Sequence, residues 1–595
     1  MAKAGDYTVS DIYQGGYSSF KSGYGDIFTG YRVSAGSLSS SMDARTANVL
    51  KDASDKIISG IKSIEISMLS PEVAEAIPKQ HLKEINRLSK LTGVDITVHA
   101  PVIEPSGISK EGFSESNREA VERQLNLSVE RSHEMSPDGS FVVNFHSSAL
   151  LPGPEITKTK EGEIIEKMLV INQETGQISA VKREEKHYPG EKGGVKDVHE
   201  ELKILNNSEW VNGITNLLFY KKEADELISR ALIPLAPILK DIQEGEKPSL
   251  TPEQNNAFSQ IGKANTYLGN VEASFNSAYN KAYKYSDEQG KKILKEISKE
   301  WVDGTKKIKE ESNMITHPLI KSQMLEKAIE MLSKIETPPE VSKSLDDFSR
   351  DKTAQTFANV AFNSYKKFKN NAPIISIENP PAGAAFSRGE DLKKIAEEAR
   401  KKFVEKAVTE GMSKSEAKEQ AEKLIGVTWD LGHINMLRKY GFETKDIIKE
   451  TGKIAPLLKH IHLSDNFGFE HTELPMGMGN VPFKKIMDKL GDKGFEAKKV
   501  IEAMSWWQHF SPGGPQNAPL LPSLQAMGSP IYAMNMAPYW NQSAGFQQDY
   551  YPGMGEIFPQ VHFETFGAGF SQLPMELGGQ KAGGAGSRTS GRPME

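Results

Sequence analysis

The sequence holds no cysteine in its 595 residues. That absence removes disulfide frameworks, thiolate metal sites, iron–sulfur clusters and thiol nucleophiles together, so any metal must be held by histidine and carboxylate. It suits a reducing cytosol, and a cytoplasmic location is the expectation. Long apolar runs are missing too. The nearest, Ala231–Leu239, is short and carries two prolines, well below the ~18 apolar residues of a membrane span. The opening residues, Met1–Asp6, have no apolar run behind them and do not read as a secretory signal. Nor is there an excess of basic charge: 73 Lys and Arg stand against 79 Asp and Glu, a net charge of −6. This argues against a generally adhesive nucleic-acid binder while leaving a local basic groove open.

What is present is alternation. Residues 1–28, rich in Gly, Ser and Tyr, read as an irregular arm. From residue 29 short β-branched runs alternate with helical stretches. Strands are expected at 31–35, 63–68, 95–100 and 141–146, with helices at 41–59, 72–91 and 115–134. The pattern stops over 151–350, where a hairpin around Glu174-Thr-Gly176 is followed by charged helical stretches near 198–242, after Thr251-Pro252-Glu253, and over 288–312 and 317–336. It resumes over 351–510, with strands at 373–378, 426–430, 460–464 and 499–502. The helices between them are expected at 390–423, broken near Gly411 and restarted at Ser413, and at 444–458 and 482–490. Four βα units before the insert and four after it point to an α/β fold, a (β/α)₈ TIM barrel interrupted after strand four. Residues 511–595, dense in Gly, Pro and aromatics, read as a partly disordered tail; stacking of Tyr539, Tyr550 and Tyr551 on bases lacks interleaved basic residues.

In such a barrel the reactive face lies at the carboxyl ends of the strands. Strand three ends in His99, strand four in His146, strand five in Glu378 and strand six in Asp430, with His433 just beyond. Strand seven carries His462, with His471 in the next loop, and strand eight ends in Glu502. A lone strand-end histidine is usually a hydrogen-bonded polar residue, but this many imidazoles and carboxylates at one barrel mouth would be costly unless bound to a cation. His460 is expected to point into the barrel wall in a structural role. The other histidines, His81, His133, His187, His199, His317, His509 and His562, fall on helices, in the insert or in the tail. Trp506 and Trp507, just past strand eight, read as packing at the rim.

The strings Val98-His-Ala-Pro101, Asn144-Phe-His146, Ile377-Glu-Asn379, Trp429-Asp-Leu-Gly-His433, His460-Ile-His-Leu-Ser-Asp465, Gly477-Met-Gly479 and Ile501-Glu502 resemble the endonuclease IV family. This is the apurinic/apyrimidinic endonuclease branch of the xylose-isomerase-like barrels. The resemblance covers roughly residues 29–150 and 350–510. It implies two or three zinc ions, with manganese also suited by ligand type. His99, His146 and Glu378 would hold one ion, and Glu378 would bridge to a second completed by Asp430, His462 and Glu502. A third would rest on His433 and His471, but the family's Asp two positions before that last histidine is Phe469 here. Glu470, Asp465 or Glu473 would have to substitute, or the third ion is weak or absent. The implied activity is hydrolysis of a phosphodiester at abasic sites in DNA by a metal-bound hydroxide, with Glu378, Glu502 and His433 as the catalytic set.

A rival reading comes from the sugar isomerase and epimerase branch. It implies one metal on Glu378, Asp430, His462 and Glu502, a small sugar substrate, and carboxylates that move a proton beside a carbonyl. A third reading treats the barrel as a platform whose insert and tail bind a partner or mediate oligomerisation.

Overall fold

The computed structural model describes residues 38–502, apart from 43–47, 59–62, 139–140, 150, 188, 191–192, 239–248, 311–314 and 475. The N-terminal arm, the strand expected at 31–35, Trp506, Trp507, His509, His562 and the tail lie outside the described residues. Two compact units are present, Lys167–Leu345 and the segments on either side of it.

The flanking segments form the barrel. Its strands are β1 (Leu38–Ser41), β2 (Ser63–Ser67), β3 (Asp95–His99), β4 (Val142–His146), β5 (Ile374–Glu378), β6 (Ile425–Asp430), β7 (Leu458–Leu463) and β8 (Lys498–Ile501). They close in the order β1-β8-β7-β6-β5-β4-β3-β2, all parallel, with β1 joined to both β8 and β2. This is the expected (β/α)₈ barrel, interrupted between β4 and β5. Register sets His146 beside Glu378 and Asp430 beside His462, so the ligand types at the strand ends meet at one rim.

Successive strand residues face opposite ways. The apolar set, including Ile64, Ile66, Ile375, Ile377, Val427 and Trp429, is buried on one face. The other face turns to the barrel interior, and two residues before the rim ligands it carries Thr97, Asn144, Ser376, Thr428 and His460. Hydrogen bonds tie this layer across strands. Ser376 and Thr428 share one at 2.7 Å, and the Thr97 hydroxyl donates to Glu65 at 3.1 Å. A barrel interior is usually packed with branched apolar side chains; here the layer beneath the rim is polar.

Two local expectations are corrected. The first barrel strand is Leu38–Ser41, lying between the strand expected at 31–35 and the helix expected to begin at 41; that helix runs Val49–Ile58. The helix expected at 72–91 is two, Pro71–Ala76 and Lys79–Thr92. Pro78 pushes the preceding Ile77 to extended geometry, ψ 122°, which ends the first helix. Ser413 does restart the chain after Gly411, accepting the Glu416 amide at 3.2 Å.

The insert unit pairs the hairpin strand running to Asn172 with Ile178–Lys182 and with Ser342–Ser344. Among the described residues four α-helices follow the hairpin, α1 (Val198–Leu235), α2 (Pro252–Tyr285), α3 (Glu288–Glu310) and α4 (Thr316–Ser333). Asp197 caps α1, and a reciprocal Thr251–Gln254 capping box opens α2. Their buried faces, including Ile228, Ile261, Leu268, Phe275 and Leu325, share one core, in which the Phe275 and Trp301 rings stack 4.9 Å apart.

Candidate metal centre

Glu378, wholly buried at the end of β5, is the hub of the rim. Its Oε1 lies 3.0 Å from His462 Nδ1, while its Oε2 lies 3.3 Å from His99 Nε2 and 3.5 Å from His146 Nε2. Asn144, two residues before His146, donates to the same Oε2. Glu502 adds Oε1 at 3.3 Å from His462 Nδ1. Two ligand sets share Glu378: His99, His146 and Glu378, and Glu378, Asp430, His462 and Glu502, with the ligand atoms of each set within 4.8 Å of one another.

Proton positions around the site favour open lone pairs. His99 Nδ1 faces the carbonyl of Ala100 at 3.0 Å, and His433 Nδ1 faces that of Asn379 at 2.7 Å. Each contact requires N–H on Nδ1 and turns Nε2 toward the rim. Asp430 Oδ1 accepts the His433 amide at 2.7 Å, whereas Oδ2 is buried without a hydrogen bond.

The electrostatics describe a crowd of anions that protons alone satisfy poorly. Burial works against the charge on Glu378, yet His462 and His146 hold its carboxyl well below the usual range. Burial and the Glu378 charge push Asp430 up to about 7, and burial first among several causes raises Glu502. Burial lowers His146 to about 3 and lowers His433 as well. His99 and His462 go up despite burial because carboxylates surround them, His99 to about 9. Imidazole nitrogens and carboxylate oxygens converging on one point are the donor types that suit a divalent cation of the zinc or manganese type.

The remaining site residues form a neighbouring group. His433 Nε2 and His471 Nε2 lie 2.9 Å apart, and His471 Nε2 lies 3.2 Å from Glu473 Oε1. Burial holds both imidazoles below their ordinary range and Glu473 well above its own; Glu473 Oε2 has no hydrogen-bond partner. Phe469 is 59% exposed and stands apart from this group. Asp465 is committed elsewhere, its two oxygens accepting the backbone amides of Asn466, Gly477, Gly479 and Val481. Of the three substitutes considered for the missing aspartate, Glu473 is the one set against His471.

All eight site residues named from the sequence therefore lie along one rim. His460 departs from its expected orientation. Two residues apart on β7, it shares the interior face with His462, and its Nε2 lies 2.9 Å from Glu65 Oε2. Glu65 itself was missed, because strand ends were read and Glu65 lies inside β2. Period-two counting back from His462 would have raised His460, and Glu65 is the one carboxylate at an interior position of a described barrel strand, Asp95 standing at the start of β3. Outside the site, His133 stacks on Phe368 at 3.7 Å.

Residues 382–519 match the family model of the xylose isomerase-like TIM barrel. The matched stretch takes in β6, β7 and β8 and includes Asp430, His433, His462, His471 and Glu502. An uncharacterized protein of Methanocaldococcus jannaschii is 29% identical over 80 residues, 13% of this chain. The chain spans about a quarter of that relative's length, 26%. A crystal structure of a D-tagatose 3-epimerase-like protein aligns over 78% of this chain and 89% of its own, with 12% identity and a TM-score of 0.34, too loose a likeness to carry an argument. Among the described residues no helix is long and apolar enough to cross a membrane.

Proposed function

We propose that this barrel is a metal-dependent hydrolase of phosphate esters, with abasic-site DNA as the substrate to test first. The observation that carries the reading is the position of Glu378, whose two oxygens face two separate ligand sets. Zinc or manganese, when bound, would supply Lewis acidity and lower the pKa of a coordinated water. His99, His146 and Glu378 would hold one ion and Glu378, Asp430, His462 and Glu502 a second. His433, His471 and Glu473 form an edge that can take a third cation or orient a phosphate oxygen. Burial of the rim side chains limits competing water, which strengthens each of these interactions.

The single-metal sugar isomerase is the second reading. It is favoured by the four-residue set Glu378, Asp430, His462 and Glu502, which is complete without either His99 or His146. Elemental analysis of the purified full chain separates the two. Two or three ions per chain, with nicking of abasic-site duplex, supports the hydrolase. One ion per chain, with turnover of a ketose in a panel and no nicking, supports the isomerase.

A further inference from the structure

We propose that Glu65 is a positioning residue for the rim: it holds the Nε2 edge of His462, so that Nδ1 is the nitrogen presented to Glu378 and Glu502. The inference rests on reading the rim as a metal centre and adds to it a carboxylate from the layer beneath. Glu65 is fully buried inside β2. A carboxylate there is costly unless paired, and leaving it unpaired costs more than the pair contributes.

Its two oxygens are used differently. Oε2 receives the Thr97 hydroxyl at 3.1 Å and faces His460 Nε2 at 2.9 Å. Oε1 and His462 Nε2 are both buried with no hydrogen-bond partner, and the two face each other as a close ion-pair contact at 3.2 Å. Across the same imidazole, Nδ1 lies 3.0 Å from Glu378 and 3.3 Å from Glu502. A neutral imidazole carries one N–H and one lone pair. An anion against Nε2 stabilises the hydrogen there and leaves the lone pair on Nδ1, the edge where the ligand set converges. Carboxylates that accept the far N–H of a ligating histidine fix its ring and raise its basicity. Because Thr97 and His460 occupy Oε2, the carboxylate cannot turn away from His462. His460, whose Nδ1 has no hydrogen-bond partner, acts as a brace for Glu65.

The test uses the full-length chain. Glu65→Gln keeps the size of the side chain and removes its charge; Thr97→Val removes one anchor of Oε2 and leaves every rim residue intact. Zinc affinity is measured by competition with a chromogenic chelator, and ¹⁵N-histidine spectra of the zinc-loaded protein report which nitrogen of His462 carries hydrogen. The expected result is Nε2–H in the wild type, zinc binding weakened about 10–100-fold by Glu65→Gln, and a severalfold loss with Thr97→Val. Should Glu65→Gln fail to fold, the Thr97→Val affinity decides, and an unchanged value overturns the proposal. Affinity of Glu65→Gln within twofold of wild type, or zinc found on Nε2 between Glu65 and His460, overturns it as well. Wild-type chain that takes up no zinc removes the metal reading and this proposal together, whereas wild-type uptake with an unaffected Glu65→Gln removes this proposal alone.

Discussion

Replacing Asp465 by Asn should loosen the loop that carries His471 and Glu473 while sparing the two ligand sets around Glu378. Asp465 closes that loop twice. Its backbone exchanges hydrogen bonds with Leu474 at 2.8 and 2.7 Å. Its Oδ1 accepts Asn466 at 2.9 Å and Val481 at 3.0 Å, and its Oδ2 accepts Gly477 and Gly479, each at 2.9 Å. Asparagine offers one oxygen, which can keep one of these pairs. The other two amides would then face an NH₂ group, losing charge-assisted bonds and leaving buried donors unpaired. At about 1–3 kcal/mol for each of the two stranded groups the cost is roughly 2–6 kcal/mol. For a domain of this size that corresponds to a fall in Tm of about 10 °C. Gly479 packs so closely here that a Cβ would meet both the Asn466 carbonyl and Asp465 Oδ1 at 2.4 Å. Calorimetry gives the Tm, and zinc titration of the wild type and of Asp465→Asn gives the ions bound. An Asp465→Asn protein with wild-type Tm and an unaltered number of bound ions would refute the reasoning.

Glu378→Gln should cut zinc content to one ion per chain or none and abolish turnover, because both ligand sets lose their shared anion; elemental analysis that finds full occupancy would contradict the bridging assignment. Asp346, its carboxyl pushed up to about 7 by burial and then by the charge of Asp391, should make the barrel lose stability as pH rises. Its folded pKa lies above the unfolded value, so the penalty is absent below about pH 4, grows through pH 4–7 and is complete above 7. Asp346→Asn should therefore be the more stable form at pH 8, by on the order of 1 kcal/mol, with the difference gone at pH 4; denaturant midpoints at the two pH values check the sign. Phe275→Ala should destabilise the insert unit by about 3–5 kcal/mol through the cavity beside Trp301. It should lower the calorimetric transition of that unit, and an unchanged thermogram would count against its having a packed core.

Seven of the eight barrel strands were legible because each is a run with β-branched residues that ends at or next to a polar residue, as in Ile374–Glu378 and Val142–His146. The first was not. Leu38–Ser41 has no β-branched residue and is held by pairing to β8 and β2 and by a 2.6 Å hydrogen bond from Ser39 to Ser63, which are tertiary facts. The rim residues were legible from the same rule that places reactive groups at strand ends. Glu65 and Asn144 were not, since their work is done from the layer below, and only closure of the barrel brings Glu65 of β2 against His462 of β7. His471 and Glu473 stand together because Gly477, at φ 87°, and Asp465 fold the loop back, a conformation that no periodicity announces.

The interruption between β4 and β5 bears on how the protein acquires its fold. Asn144 and Glu378, in contact in the finished rim, are 234 residues apart in sequence. Compared with an uninterrupted crossover of ~30 residues, closing a loop of that length costs about 2 kcal/mol more in chain entropy, and contacts so distant in sequence slow folding. During synthesis β1 to β4 precede the insert, and their later partners β5, which pairs with β4, and β8, which pairs with β1, emerge only after it. Once the insert has collapsed on its own core, its ends are tethered and the effective loop is far shorter. Because Glu378, Asp430, His433, His462, His471 and Glu502 all follow the insert in sequence, the ligand rim can be complete only after the insert has been synthesised.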